Sequence, residues 1–232
     1  MKVLETSTIW RFKERGSWST HKGDYRGNWS PFVPRNIILR YSEEGNVILD
    51  QFVGSGTTMI ECALLNRIGI GIDINKKALD ITKKRVEELR GKIYLGKNDA
   101  RNLYVLKDNS IDLICTHPPY LDIIKYSNME NDLSNRSLKE FLDDIRKVAK
   151  ESFRVLKKNK FCAIMMGDIR KKGYVIPLAY QVMQVFLDEG FKLREIIIKE
   201  QFNCSSTEKW ISISKEKNFL MINHENIFIL RK

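Results

Sequence analysis

This chain has little of what metal, disulfide or membrane chemistry needs. Its 232 residues include four cysteines, three histidines and five prolines. Cys62, Cys115, Cys162 and Cys204 are far apart and mostly in apolar surroundings. Neither they nor His21, His117 and His224 have metal-ligand spacing, so no metal site is expected and the cysteines read as buried, reduced thiols. No apolar run approaches the ~20 residues of a membrane span, and the first residues lack a signal-peptide core. The cytoplasm is therefore the expected location. Acidic residues are also short. Twenty-nine Asp and Glu face 40 Lys and Arg, a net charge of +11, which favours a polyanionic partner without specifying any base. Repeats and low-complexity tracts are lacking too.

The informative segments are Asp50-Gln51-Phe52-Val53-Gly54-Ser55-Gly56-Thr57-Thr58 and Thr116-His117-Pro118-Pro119-Tyr120. The first is placed between a strand at Val47–Leu49 and a helix from Thr57 to Arg67, and the second ends a strand at Ile111–Cys115. Around them, strands are predicted at Ile68–Ile74, Ile93–Leu95 and Phe161–Met166, with helices at Pro34–Tyr41, Lys76–Leu89, Leu138–Leu156 and Ile176–Glu189. Lys192–Gln201, Trp210–Ser214 and Asn226–Leu230 read as strands without intervening helices. Parallel βα units followed by a terminal antiparallel hairpin make one open, doubly wound α/β sheet. Residues 1–36, rich in aromatic and polar side chains, read as an irregular arm.

In such a sheet the strand ends carry the ligand loops. Gly54 and Gly56 allow a tight turn and close backbone approach to a ligand. Thr57 and Thr58 open the next helix and can hydrogen-bond at its electropositive end. Met59 stands where a dinucleotide site would have its third glycine, and no lysine marks a P-loop, so both common phosphate cradles fail. Asp73, ending the second strand, can accept from a ribose diol, and Asp99 after the third can reach an adenine or sugar edge. Each alone reads first as an ordinary loop or capping acid; in this order after a glycine turn they support an adenosine site. Asp50 would hold the turn or meet a positively charged methionyl group rather than act as a base.

On the other side, Pro118 and Pro119 fix the backbone and expose Tyr120 at a constrained angle. Its ring can stack on a base while His117 and the Pro118 carbonyl accept from the exocyclic amine. A structural Pro-Pro turn with a core-capping tyrosine is the competing reading.

These motifs carry a resemblance. The chain resembles the S-adenosylmethionine-dependent amino methyltransferases of DNA, which modify adenine N6 or cytosine N4. Their glycine motif looks like Asp50 to Thr58. Their Asp/Asn/Ser-Pro-Pro-Tyr motif matches His117-Pro118-Pro119-Tyr120, and their second-strand acid matches Asp73. The segment Trp29 to Arg40, including Pro34, is similar to the motif that helps hold the methionyl part, and Phe219 to Lys232 looks like the last strands. The resemblance implies a Rossmann-like, mostly parallel seven-stranded sheet, with residues 1–36 as an arm and 37–232 as one methyltransferase domain. It implies S-adenosylmethionine as cofactor, held by Trp29, Pro34, Asp50, Phe52, Gly54, Gly56, Thr57, Thr58, Asp73 and Asp99. It also implies base flipping, double-stranded DNA as partner, and a place in DNA methylation of the restriction-modification kind.

His117 departs from the family's Asp, Asn or Ser. A neutral imidazole nitrogen can accept from an amine and a protonated one cannot. Either His117 does this work, or the acceptor differs, or activity is impaired. For nucleic-acid contact, Lys125 and Tyr126 lie beside the expected pocket, Arg170, Lys171 and Lys172 suit phosphates, and Tyr25 and Arg26 in the arm offer a further surface. No long insertion resembles a target-recognition domain, so a homodimer or a separate specificity subunit is a reasonable expectation. RNA amine methylation and a cofactor-binding subunit that needs a partner are the alternatives.

Overall fold

The computed structural model describes residues 4–124, 132–202 and 207–232. Ten strands and six helices run along the described residues. They are β1 (Ile9–Trp10), α1 (Phe32–Tyr41), β2 (Val47–Asp50), α2 (Thr57–Leu64), β3 (Ile68–Asp73), α3 (Lys76–Val86), β4 (Ile93–Lys97) and β5 (Ile111–Thr116). Then come α4 (Leu138–Val155), β6 (Leu156–Met166), β7 (Ile169–Lys171), β8 (Tyr174–Ile176), α5 (Leu178–Asp188), β9 (Lys192–Glu200), α6 (Thr207–Glu216) and β10 (His224–Arg231).

Eight strands form one sheet in the order β1-β9-β10-β6-β5-β2-β3-β4. All its pairings are parallel except the two made by β10, which runs antiparallel to β9 and β6. The expected mostly parallel sheet with a terminal antiparallel pair is thus present. The eighth strand is the short β1, which pairs with β9 through Ile9 and Trp10.

The period-two alternation of strand side chains divides the core between the two faces. Ile48, Leu113, Cys115, Ala163, Met165, Ile227 and Ile229 pack on one face with α1, α2 and the arm residues Trp10, Phe12 and Trp29. Leu49, Ile114, Cys162, Ile164, Met166, Phe228 and Leu230 pack on the other with α4 and α5. Local signals set the helix starts. Asn75 caps α3, accepting from the Lys77 N–H at 3.0 Å, and Ser137 with Glu140 forms a capping box on α4, as their sequence positions favour. Helix α1 starts two residues before the expected Pro34, which still lies in the first turn where its missing N–H is harmless.

One expectation is corrected. Trp210–Ser214 lies inside helix α6 rather than a strand. The alternation Ile211-Ser212-Ile213 has the period of a strand, but the segment pairs with no strand of the sheet. As a helix the segment satisfies its backbone internally, and Trp210 and Ile211 stay exposed.

Cys62, Cys115 and Cys162 are buried free thiols, and burial pushes each thiol's pKa up. Cys204 lies outside the described residues. Among the described residues no helix is long and apolar enough to cross a membrane.

Candidate active site

The glycine turn leaves β2 and enters α2. Gly54 and Gly56 adopt φ of +50° and +84°, in the region that favours glycine. At Gly56 a Cβ would also lie 2.6 Å from Thr82 Cγ2 on α3, so no larger residue fits. Asp50, at the end of β2, is buried and locks the turn from beneath. Its carboxylate accepts from Thr58 Oγ1 at 2.5 Å, Thr116 Oγ1 at 2.8 Å and the Phe52 N–H at 3.1 Å. Burial nevertheless raises the Asp50 pKa to about 6. Asp73 ends β3 and accepts from the Gly54 N–H at 3.0 Å and the Asn75 N–H at 2.8 Å. Burial raises its pKa as well.

Above this turn opens a cleft of about 860 Å³, lined by Tyr25, Trp29, Asp50, Phe52, Gly54, Thr57, Asp73, Asp99, His117 and Pro119 among others. Asp132 adds a fourth carboxylate to its wall and Arg101 a cation. Asp99 is gripped by Arg101, whose Nε and Nη2 lie 2.9 and 2.6 Å from its two oxygens. A negative, part-apolar cleft behind a glycine turn suits a cation that carries a diol and a flat ring. That donor set fits S-adenosylmethionine.

A second cleft of about 1180 Å³ adjoins the first and shares Gly27, Asn28, Trp29 and His117 with it. Lys13, Arg15, Pro118, Tyr120, Ile123, Lys199, Phe202 and Glu225 line the rest, among others. His117 is partly buried in the partition. The Trp29 ring lies nearly parallel to it, 5.3 Å away between centroids. His117 Nε2 is 2.6 Å from the Tyr120 hydroxyl, which donates to Glu225 Oε1 at 2.8 Å. Lys199 Nζ meets the other Glu225 oxygen at 2.8 Å. Burial lowers the His117 pKa to about 4. Burial also works against the Glu225 carboxylate, but the charge of Lys199 and its hydrogen bond outweigh it and hold the pKa below the usual range.

Residues 2–84 and 111–232 match the model of the DNA methylase family (N6_N4_Mtase). The chain belongs to that family. Among its relatives, the type II methyltransferase M.HpaI of Haemophilus parainfluenzae is 36% identical over 87 residues, 38% of this chain and 28% of the relative. A tRNA (guanine(10)-N2)-dimethyltransferase of Methanothermobacter thermautotrophicus is 30% identical over 175 residues, 74% of this chain and 45% of the relative. The matches thus span less than half the length of both relatives. TrmN of Thermus thermophilus superposes with a TM-score of 0.61 over 89% of this chain and 50% of its own, at 19% identity, which establishes the fold.

Most of the predicted site residues gather around the two clefts. Trp29, Asp50, Phe52, Gly54, Thr57, Asp73, Asp99, His117 and Pro119 face the first cleft, and Pro118 and Tyr120 the second. Gly56 and Thr58 shape the turn from behind. Pro34 is buried in α1 away from both clefts. Tyr25 stands on the wall of the first cleft rather than on an outer face, while Arg26 is exposed. Arg170, Lys171 and Lys172 belong to the β7–β8 hairpin, where Arg170 donates to the carbonyls of Gly173 and Leu220 and Lys171 pairs with Asp122. Lys125 and Tyr126 lie outside the described residues.

Sequence reasoning passed over Arg101, Lys199 and the contact of Glu225 with Tyr120, and gave Thr116 no part in holding Asp50. Glu225 left one signal, an acid near the start of an otherwise apolar strand.

Proposed function

We propose that this chain transfers a methyl group from S-adenosylmethionine to the exocyclic amine of a DNA base, adenine N6 or cytosine N4. The observation that carries this reading is the meeting of an acidic cleft and a basic-rimmed cleft at one partition, His117 with Trp29. When bound, S-adenosylmethionine supplies an electrophilic methyl on a sulfonium. Asp73 offers its carboxylate to the ribose hydroxyls, Phe52 and Ile74 offer apolar surface to the adenine, and Asp50 faces the cationic end. In the second cleft Tyr120 and Trp29 present rings to a flipped base, whose unstacking costs a few kcal/mol, roughly. His117, neutral near pH 7, accepts from the amine across the partition. The chain thereby supplies positioning and a water-poor setting rather than a covalent intermediate.

In this proposal residues 1–36 act as an arm and 37–232 as one methyltransferase domain. Double-stranded DNA is the substrate, and Arg26, Lys172 and the undescribed Lys125 and Tyr126 contact it. Recognition comes from short segments around the clefts, completed by a second copy or a specificity subunit, and the chain works in the cytoplasm in DNA methylation of the restriction-modification kind.

The test is radiolabelled methyl transfer by the purified chain to unmethylated genomic DNA and to total RNA, read by nucleoside mass spectrometry. Label in N6-methyladenine or N4-methylcytosine of DNA is the expected result. Label confined to RNA would replace the substrate class, and label in neither, with cofactor bound, would favour a missing partner or a non-catalytic role.

A further inference from the structure

The polar chain behind His117 has a direction that its atoms dictate. Glu225 is 7% exposed and its Oε2 is paired with Lys199 at 2.8 Å, so it is a carboxylate and only accepts. The Tyr120 hydroxyl has one proton, and with Glu225 Oε1 at 2.8 Å that proton is donated there. The oxygen is then left as the acceptor for His117 Nε2 at 2.6 Å. In a neutral imidazole one nitrogen carries the hydrogen and the other the lone pair. The bare nitrogen is therefore Nδ1.

We propose that Lys199, Glu225 and Tyr120 are positioning residues that hold His117 as its Nε2–H tautomer and so present Nδ1 as the acceptor for the target amine. This deepens the proposed function and rests on it. It explains how a histidine replaces the carboxylate, amide or hydroxyl oxygen usual at this place. Asp, Asn and Ser carry an accepting oxygen whatever their surroundings, whereas histidine accepts at a chosen nitrogen only if its other nitrogen is made to donate. When the amine sheds its extra proton on methylation, Nδ1 takes it and later releases it to water. The imidazolium then holds a hydrogen on both nitrogens, with Nε2–H still directed at the Tyr120 oxygen and the Glu225 charge beyond it. A low affinity of the free ring for protons keeps Nδ1 bare between turnovers.

The alignment also depends on Gly167, the residue just after β6. A Cβ there would lie 2.7 Å from Tyr120 Cε2, so the tyrosine ring reaches Glu225 only past a residue without a side chain.

The test is long-range proton–nitrogen NMR on the full chain labelled with nitrogen-15 histidine. There are three histidines, and the His117 signals are those lost in His117→Asn. Wild type is expected to show hydrogen on Nε2 and a bare Nδ1. In Glu225→Gln the amide can donate to the Tyr120 oxygen, which turns the hydroxyl proton toward His117 and moves the ring hydrogen to Nδ1. Tyr120→Phe, which conserves the ring, is expected to give a mixture of tautomers and serves if Glu225→Gln does not fold. Both variants should lose about a hundredfold in methyl-transfer rate, the scale of one proton-transfer contact, with cofactor affinity by calorimetry unchanged. Hydrogen on Nδ1 in wild type, or an unchanged tautomer in both variants, overturns the relay. The expected tautomers in a protein that methylates no acceptor would uphold the relay and sink the functional reading instead.

Discussion

At the residue scale, His117 is a group whose charge the protein refuses. Burial takes its pKa from an ordinary 6.5 to about 4. Between those values the unfolded chain binds a proton and the native one does not, so the stability held by the neutral ring is intact above pH 6.5 and lost as pH falls through about 4. Urea unfolding should therefore show wild type losing ground to His117→Asn as pH drops from 7 to about 4.5, since asparagine does not titrate. Asp50 titrates within the same window, near 6, but is common to both proteins and cancels in the comparison. Gly167→Ala makes a second residue-scale prediction. The added methyl meets the Tyr120 ring, so methyl-transfer rate should fall about tenfold or more while cofactor affinity holds, the pattern of a lost transition-state contact. Equal losses of rate and cofactor affinity would show that the glycine supports the fold more broadly.

At the scale of elements, the arm is built into the site. Glu61 on α2 is fully buried and accepts from Trp18 Nε1 at 2.9 Å and Arg35 Nη1 at 2.8 Å, with His21 Nε2 at 2.7 Å. Arg85 on α3 pairs with Asp24 and donates to the Ser55 carbonyl. Asn28 Nδ2 reaches Ser55 Oγ at 3.2 Å, and Arg15 holds the Trp29 carbonyl at 3.0 Å. These bonds lay residues 25–29 across the glycine turn, so the arm forms a wall of both clefts. Glu61→Ala strands the groups that converge on it and should cost about 3 kcal/mol. Limited proteolysis should then cut first within residues 11–28, with cofactor affinity falling in parallel. Cleavage elsewhere would show that Glu61 does not anchor the arm. The glycine turn has a matching dependence on α3, because Thr82 packs where a Gly56 side chain would stand and its Oγ1 donates to the Gly54 carbonyl at 2.8 Å.

At the scale of the whole molecule, charge is sorted rather than spread. The chain carries +11, yet four aspartates and one arginine face the first cleft, while Lys13, Arg15 and Lys199 face the second against Glu225. That sorting suits the proposed pair of ligands, a cationic small molecule beside a polyanion. DNA binding should weaken steeply with salt, by roughly a hundredfold between about 50 and 200 mM if about four phosphates are contacted. Cofactor binding should change far less over that range. A salt-insensitive DNA affinity, measured by fluorescence anisotropy, would argue against this electrostatic footprint.

Much of this architecture is legible in the order of the residues. The βα alternation, the glycine turn and the Pro-Pro-Tyr corner are local: backbone conformation at Gly54, Gly56, Pro118 and Pro119 follows from the residues themselves, and strand and helix periods follow from which faces must be buried. Asp73 is legible because a strand end in a parallel sheet has one functional side. What depends on long-range packing is not. Trp210–Ser214 has the period of a strand, yet it joins no sheet and is helical. The arm's place over the turn requires Glu61, 40 residues beyond His21, and the direction of the His117 hydrogen bond requires Glu225, 105 residues beyond Tyr120. The elements, their order and the two chemical motifs are written along the chain, because they arise from residues that are neighbours in it. Which ring nitrogen of His117 is bare follows from the fold alone, because a tautomer is set by the groups that folding brings into contact.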